Sequence, residues 1–394
     1  MTKTEIVDAA FKVWGRNFYR KTSLSKLADE LGVSKPALYR HFASKQALTS
    51  AMTEHFLDDF AASNIEDFRK ALTLNDPDEG IIAIVESISF YFARNVYSLI
   101  FCLINIQNRD NLKEALKSRG ADIGILQLII NKKYTYEPEL TRIIFATLTF
   151  FMSHFHKKNK SMENIPADKQ IQEITSIINE TVKYGLGFSP QKTDINFENL
   201  EEQVNEIPLN AEAEPFFKAV AEAVAEAGPW DVSMDMVAKK LGLSKSSLYG
   251  RFKNKKDMLR RLFLTEFKRI IEFARQGISL SKDASQQLYL GIYSISVYLR
   301  SRHEILVAMN WIRTRKLDIG KPEKQEEIFR LFEDVNIESL HNAADEEKQR
   351  TSHWILFLLI NVLCNPDKTA QVEQNSLIRM LYKFVIRGLG GFTR

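Results

Sequence analysis

Apolar residues recur at intervals of three and four along most of this chain, the spacing that places them on one face of an α-helix. Near the N-terminus one such face consists of Ile6, Ala9, Ala10, Val13 and Trp14. About 210 residues later a second face of the same kind consists of Phe216, Phe217, Val220 and Val224. The sequence lacks the sustained apolar–polar alternation of half-buried strands. The pattern therefore predicts an all-α protein.

One segment of this pattern occurs twice. Residues 24–48 read LSKLADELGVSKPALYRHFASKQAL, and residues 234–258 read MDMVAKKLGLSKSSLYGRFKNKKDM. Similarity returns where Ser87–Phe92 matches Ser294–Leu299, and again where Tyr184–Gly187 matches Arg387–Gly390. The offset falls from 210 to 207 and then to 203, as small deletions within a duplicated unit would produce. A period this long indicates two whole domains rather than a solenoid.

The repeated segment has the start and stop signals of two short helices joined by a tight turn. In the first copy, Ser23 is placed to cap a helix that Gly32 ends. Ser34 then caps a second helix, Lys35–Phe42, with Pro36 in its first turn, where a missing N–H costs little. Two helices in this order predict a helix-turn-helix, whose second helix is presented to the major groove of DNA.

The two faces of this motif carry different chemistry. Its apolar positions predict a packed underside that consists of Leu24, Leu27, Leu31, Val33, Leu38 and Phe42. The opposite surface carries donors suited to phosphates and base edges. In the first copy the predicted DNA-binding residues are Ser34, Lys35, Pro36, Ala37, Tyr39, Arg40, His41 and Lys45. In the second copy they are Ser244, Lys245, Ser246, Ser247, Tyr249, Arg251 and Lys255.

The two surfaces are not identical. Gly250 in the second copy replaces Arg40, and Arg251 stands where the first copy has His41. The pair Pro36-Ala37 becomes two serines. If these positions read bases, the two copies prefer different half-sites and the target is asymmetric.

Charge concentrates on the same two segments. The chain has 54 Lys and Arg against 50 Asp and Glu, which gives a net charge of +4. Residues 20–48 hold six basic and two acidic residues, and residues 233–261 hold nine and two, so these stretches carry +4 and +7. The rest of the chain is therefore acidic overall. Basic charge placed on both copies of one motif is what a polyanion-binding protein requires.

This motif resembles the DNA-binding domain of the TetR/AcrR transcriptional regulators. Asn17–Ser23 and Gly228–Ser233 are similar to the lead-in of that domain, with Asn17 where Gly is usual. The resemblance implies two halves, each a three-helix helix-turn-helix domain followed by a larger helical domain. It also implies a DNA-binding regulator, expected to be a repressor that a small ligand releases from a double-stranded operator. Because the family pairs through a four-helix bundle, we expect the halves to pack as an intramolecular pseudo-dimer.

The resemblance divides the chain into five parts. We predict a first head at residues 1–50, a helical regulatory and dimerisation domain at 51–187, a linker at 188–210, a second head at 211–261 and a second helical domain at 262–394. A short helix is expected in the linker around Glu198–Val204. The bundle helices are expected at Glu139–His156, Asp168–Tyr184, Glu346–Cys364 and Ala370–Arg387.

Other kinds of chemistry find little support in the sequence. A Gly-rich phosphate loop, a nucleophile elbow and paired carboxylates are missing, so we expect neither an enzyme nor a cofactor. Cys102 and Cys364 indicate reduced thiols in a cytoplasmic protein. His154 and His156 are interpreted as capping their helix C-terminus rather than binding a metal. The longest apolar runs are shorter than the roughly 20 residues that span a bilayer.

Several alternatives remain open from the sequence. The second copy of the motif is either a working head or a structural remnant. The whole chain is either a regulator or a helical interaction module without sequence-specific DNA binding. The aromatic stretches Phe90–Phe101 and Phe145–Phe155 either fill a core or line a ligand cavity, and no residue is assigned to a ligand. Further pairing of two chains is left undecided.

Overall fold

The computed structural model describes residues 2–17, 23–105, 109–134, 138–158, 166–187, 195–209, 215–314, 332, 335, 345–364 and 371–393. Within these residues the chain forms nineteen α-helices, one terminal 3-10 helix and no strand, which confirms the all-α prediction. Residues 18–22 of the first predicted lead-in, and residues 188–194 and 210 of the predicted linker, lie outside this part. None of the helices in these ranges is long and apolar enough to cross a membrane.

The helices follow one another in chain order. The first half of the sequence contains α1 Lys3–Asn17, α2 Leu24–Glu30, α3 Lys35–His41, α4 Lys45–Thr73, α5 Pro77–Arg94, α6 Val96–Asn105, α7 Arg109–Ser118, α8 Ile125–Lys133, α9 Pro138–Lys158 and α10 Asp168–Tyr184. The predicted linker contains α11 Phe197–Asn205. The second half contains α12 Pro215–Asp231, α13 Met234–Leu241, α14 Lys245–Arg251, α15 Lys255–Ile278, α16 Ala284–Ser301, α17 His303–Thr314, α18 Asp345–Cys364, α19 Gln371–Arg387 and the 3-10 helix Gly388–Phe392.

Helix bounds repeat between the halves as the drifting offset predicts. Helices α5 and α16 each have 18 residues and start 207 positions apart. The four helices predicted for the bundle are α9, α10, α18 and α19, and each bound lies within two residues of the prediction. The duplication therefore extends beyond the helix-turn-helix motif.

The described residues divide into two compact units. The first consists of Met1–Thr141 and Phe151–Glu180, and the second of Arg142–Phe150 and Thr181–Thr393. In the first unit, the rings of Phe56, Phe60, Tyr91 and Phe92 pack together between α4 and α5. These aromatic residues are buried, so at these positions the aromatic stretch fills a core.

Each unit contains a matching tyrosine–carboxylate pair in which the tyrosine is buried. The Tyr91 hydroxyl donates to Asp59 at 2.8 Å in the first unit, and the Tyr298 hydroxyl donates to Glu266 at 2.7 Å in the second. Both members of the second pair lie 207 positions after those of the first. Burial, aided by the neighbouring carboxylate, raises the pKa of both tyrosines, so both hydroxyls stay protonated as donors. The duplicated chain has kept this internal hydrogen bond in both copies.

In the second unit, duplicated residues meet their own counterparts. Trp354 Nε1 donates to Thr147 Oγ1 at 3.2 Å, and the rings of Phe150 and Phe357 lie 5.5 Å apart. Both pairs join positions 207 residues apart. In a two-fold symmetric interface, residues near the axis contact their own copies. These two contacts have that form although the chain is single.

A third contact of this form involves only backbone. Gly185 and Gly388 both have left-handed φ angles, of +60° and +54°, and the Leu186 N–H donates to the Val385 carbonyl at 2.8 Å. A Cβ on Gly185 would lie 2.5 Å from that same carbonyl oxygen, and one on Gly388 would press on the Val182 carbonyl. Val182 and Val385 are themselves counterparts, 203 positions apart. The contact is therefore reciprocal, and it leaves no room for a side chain at either glycine.

The short helix predicted in the linker is present as α11. Its residues Leu200, Glu201 and Val204 are buried, so α11 belongs to the second unit rather than hanging between domains. The Glu201 carboxylate accepts two hydrogen bonds from Arg379, from Nε at 2.7 Å and from Nη2 at 2.9 Å. Tyr289 and Asn375 donate two more. This buried charge is thus fully paired, which is the condition under which burial is tolerated.

We expect the backbone contact at Gly185 to be sensitive to a single methyl group. Gly185→Ala adds a steric clash with backbone to the strain of a left-handed alanine, whereas Gly187→Ala, with φ of +66° and nothing within 4 Å, adds only the strain. The strain alone costs about 1–2 kcal/mol, and the clash adds about 1–3 kcal/mol. Urea unfolding of both variants measures the difference. Equal midpoints for the two variants would show that the glycines do not meet.

Candidate nucleic-acid interface

The second helix of each motif exposes most of its surface. Helices α3 and α14 each have seven residues, and in each only one leucine, Leu38 or Leu248, is fully buried. The Ser34 side chain accepts from the Ala37 N–H at 3.3 Å, and the Ser244 side chain accepts from the Ser247 N–H at 3.1 Å. These caps satisfy amides that a short helix leaves without partners. Each helix is fixed at its start and free along its outer face.

The turns before these helices have the same backbone. Gly32 and Gly242 have φ angles of +64° and +63°, the left-handed conformation that glycine adopts without strain. After each glycine an N–H returns to the preceding helix, from Val33 to the Ala28 carbonyl at 3.0 Å and from Leu243 to the Ala238 carbonyl at 2.9 Å. The predicted caps and turn are confirmed, and the two copies place their second helices alike.

The predicted underside is confirmed in part. Leu24, Leu27, Leu38 and Phe42 are buried, whereas Leu31 and Val33 are only half-buried. Both exceptions flank Gly32, where the chain leaves α2 and turns toward α3. A turn at the surface of a small domain has less structure to cover it than a helix face has. These two positions are therefore covered less than the other four.

In the first head the predicted contact residues form an outward-facing surface. Ser34, Lys35, Pro36, Tyr39, Arg40 and His41 are exposed, and Ala37 and Lys45 are half-buried. The Tyr39 ring is 48% exposed, which is unusual for a large apolar group. Lys35 and Arg40 have no ion-pair partner within the described ranges, and the Lys45 ammonium lies 5.7 Å from the centre of the Trp14 ring. Lys35 and Arg40 are therefore available to an anion.

In the second head one of these cations is already engaged. Ser244, Lys245, Ser246, Ser247, Tyr249 and Arg251 are exposed and Lys255 is half-buried. Lys245 Nζ donates to Asp235 Oδ2 at 2.9 Å, and this hydrogen bond raises the pKa of Lys245. The position equivalent to Asp235 in the first head is Ser25. A carboxylate thus lies on the face where the first head has only a hydroxyl.

The serine-rich start of α14 adds a second difference. The Ser244 hydroxyl lies 2.9 Å from the Ser246 hydroxyl and 2.8 Å from the Ser247 hydroxyl. Proline and alanine occupy the two matching positions in α3 and offer no hydroxyl. The two heads therefore share a backbone and differ in the donors and charges that they present.

One histidine near the end of α9 contacts a neighbouring helix. His156 is buried, and its Nε2 lies 2.8 Å from the carbonyl oxygen of Phe92, in the last turn of α5. Capping of the C-terminus of α9 by this histidine pair stays a prediction. The described residues contain no group of three side chains suited to a metal ion.

Comparison with known proteins finds similarity over both helix-turn-helix segments. The family described as "Bacterial regulatory proteins, tetR family" matches residues 6–52 and 217–262. The HTH-type transcriptional repressor ComR of Escherichia coli is 34% identical over 58 residues, which is 15% of this chain and 28% of that protein. The HTH-type transcriptional activator FasR of Mycolicibacterium smegmatis is 32% identical over 100 residues, which is 25% of this chain and 44% of that protein. The chain spans less than half the length of these relatives.

Two solved structures are also similar to parts of this chain. The TetR family regulator PfmR of Thermus thermophilus matches with 20% identity and a TM-score of 0.35, over 45% of this chain and 95% of that one. A TetR/AcrR regulator of Thermobifida fusca matches with 20% identity and a TM-score of 0.30.

The model of that family matches this chain twice. The two matched ranges contain both helix-turn-helix motifs and are consistent with a tandem duplication. Both matched relatives are named as transcriptional regulators.

The sequence reasoning missed Asp235. The difference could have been found in the sequence, because the alignment of the two copies places Asp235 opposite Ser25 within an otherwise basic segment. The ion pair itself joins α13 to α14 across the turn, ten residues apart, and depends on how the two helices cross.

Two neighbouring residues of α3, Leu38 and Tyr39, are expected to differ in how much they contribute to the stability of the first head. Leu38→Ala removes a fully buried side chain and should lower the free energy of unfolding of the first head by about 2–5 kcal/mol. Tyr39→Ala removes a half-exposed ring and should change it by about 0.5 kcal/mol or less. Thermal unfolding of the two variants checks this. A large loss in Tyr39→Ala would mean that this ring has a packing role.

Proposed function

We propose that this protein is a ligand-responsive transcriptional regulator that binds a double-stranded DNA operator through two unlike heads in one chain. The observation that carries the proposal is the repeated recognition helix, capped in the same way in both heads and exposing tyrosine and lysine around one buried leucine. Helices of this kind enter the major groove, with phosphate contacts for affinity and base contacts for sequence preference. We place the protein in the cytoplasm, where such an operator lies.

Repression is the direction that we propose. It is the usual role that the resemblance implies, with a small ligand releasing the protein from DNA. One matched relative is named a repressor and the other an activator, so the family alone leaves both directions available. A reporter placed behind the operator distinguishes them, because deleting a repressor raises expression and deleting an activator lowers it.

The two heads are proposed to act as the two subunits of a dimer do. Support comes from the counterpart contacts Thr147–Trp354, Phe150–Phe357 and Gly185–Gly388, which have the form of a two-fold interface. Heads related in this way fit half-sites about 34–36 Å apart or a multiple of that spacing. A ligand that changes their separation would lower the affinity for DNA.

A rival function is a helical interaction module that does not recognise a DNA sequence. An interaction module of this kind would not require both copies to have a capped second helix with exposed cations on its outer face. The same observation argues against the second copy as a remnant, since its caps, its turn and its exposed Tyr249 all match the first. The engaged Lys245 instead suggests a second head with weaker phosphate binding.

Selection of bound fragments from random DNA tests the main proposal. We expect one preferred sequence with two different half-sites, and an affinity that falls steeply with salt as phosphate contacts release counterions. Arg40→Ala should alter preference in one half-site only, whereas Tyr39→Phe combined with Lys45→Ala should weaken binding to all sequences. Weak binding with no preferred sequence supports the rival, and a perfect palindrome bound equally by both heads contradicts the asymmetry.

The pairing of Asp235 with Lys245 gives a reciprocal prediction. Asp235→Ser frees a lysine and removes an anion, so operator affinity should rise several-fold and the slope of log K against log salt should steepen by about one. Ser25→Asp places the acid in the first head and should lower both the operator affinity and the steepness of this slope. Titrations across salt concentrations measure each slope. No change in either variant would show that this face does not approach phosphates.

A further inference from the structure

A cleft in the second unit has the size and chemistry of a small-molecule site. Its volume is about 460 Å³, and it lies among α11, α16 and α19. Its lining residues are Asn205, Tyr293, Val297, Arg300, Ser301, Gln374 and Asn375. Sites for small molecules typically have volumes of about 300–1,000 Å³. Six of the seven side chains offer hydrogen-bonding groups, so the cleft suits a polar ligand.

The charge of this cleft favours an anion. Arg300 is the one ionised group among the lining residues, and the lining contains no carboxylate. Within the described ranges Arg300 has no acidic partner. Its guanidinium donates to Asn375 Oδ1 at 2.9 Å and to the Ser296 carbonyl at 3.3 Å. A half-buried guanidinium held only by neutral acceptors retains the capacity to bind a carboxylate or phosphate through two parallel hydrogen bonds.

The guanidinium is held in place before any ligand arrives. Its carbon lies 5.5 Å from the centre of the Tyr293 ring, and Nη2 donates to the Ser296 hydroxyl at 3.3 Å. Fixing a long side chain in advance lowers the entropy lost on binding. The cleft therefore offers a positioned cation.

The nearest buried carboxylate does not cancel this charge. Glu201 already accepts hydrogen bonds from Arg379, Tyr289 and Asn375. Because Arg379 pairs with Glu201 through two nitrogen atoms, that pair is close to neutral as seen from the cleft. Arg300 remains the uncompensated charge.

The corresponding positions of the first half do not form the same site. Tyr293, Val297 and Arg300 align with Glu86, Phe90 and Ala93 at the offset of 207. The first half thus has an acid in place of the tyrosine, a phenyl ring in place of the valine and a methyl group in place of the guanidinium. The site is therefore a feature of the second half and not an automatic result of the repeated fold.

We propose that this cleft binds a small organic anion through Arg300, with the amides of Asn205 and Gln374 fixing its orientation. The ligand carries either a carboxylate or a phosphate. Because Asn205 ends α11, the bound anion joins the linker helix to α16 and α19 and stabilises its docking. The role of this anion as an effector rests on the proposed function, whereas its binding does not.

Binding is tested on the full chain without DNA, so a failure here is distinct from a failure to bind an operator. Succinate represents carboxylates and glycerol 3-phosphate represents phosphates, with sodium chloride at matched ionic strength as the control. We expect one probe to bind with a Kd of about 1 mM or lower in calorimetry. At 10 mM that probe should raise the melting temperature by about 2–4 °C.

Arg300→Gln should weaken binding at least about tenfold. The matched control is Arg94→Gln, which removes an arginine at the end of the homologous helix α5, ion-paired to Asp168 at 3.0 Å, and should bind like the wild type. If Arg300→Gln folds poorly, Gln374→Glu provides a second variant of nearly the same shape, whose added negative charge should also abolish binding. Binding of neither probe beyond the chloride control, or full binding by both cleft variants, overturns the proposal.

Discussion

The backbone contact between Gly185 and Gly388 is the constraint from which the rest of this structure can be understood. Two left-handed glycines from opposite halves of the sequence approach so closely that neither tolerates a methyl group. The approach joins α10 to the end of α19 by a hydrogen bond and ties the end of the first half into the second unit. The contacts Thr147–Trp354 and Phe150–Phe357 have the same form, since each joins two counterpart positions, as residues near the axis of a two-fold interface do.

Fusion changes what such an interface permits. A homodimer must present identical heads, and any substitution appears in both subunits at once. In one chain each copy changes alone, and the second head has gained Asp235 against Lys245 and lost the counterpart of Arg40. The second helical domain has likewise gained Arg300 at a position where the first has alanine. The buried cores, in contrast, keep matching features such as the hydrogen bonds of Tyr91 and Tyr298.

Local signals made most of the fold predictable. The serine caps, the left-handed glycines and the three-and-four apolar spacing act within a few residues, so helix bounds and the helix-turn-helix could be inferred directly. The partial exposure of Leu31 and Val33 could not be read from the apolar pattern, because burial beside a turn depends on what covers the turn. Glu201 lies in a polar segment that resembles an exposed linker, and its burial depends on hydrogen bonds from Arg379, Tyr289 and Asn375, all distant in sequence. The cleft around Arg300 likewise depends on three helices distant in sequence.

The central claim is that one chain replaces a dimer. Native mass spectrometry of the full chain, alone and bound to its selected DNA fragment, tests this most directly. The account predicts a single chain of 45.4 kDa in solution and one chain for each DNA duplex, with both heads engaged. Two chains on each duplex, or a stable dimer without DNA, would contradict it.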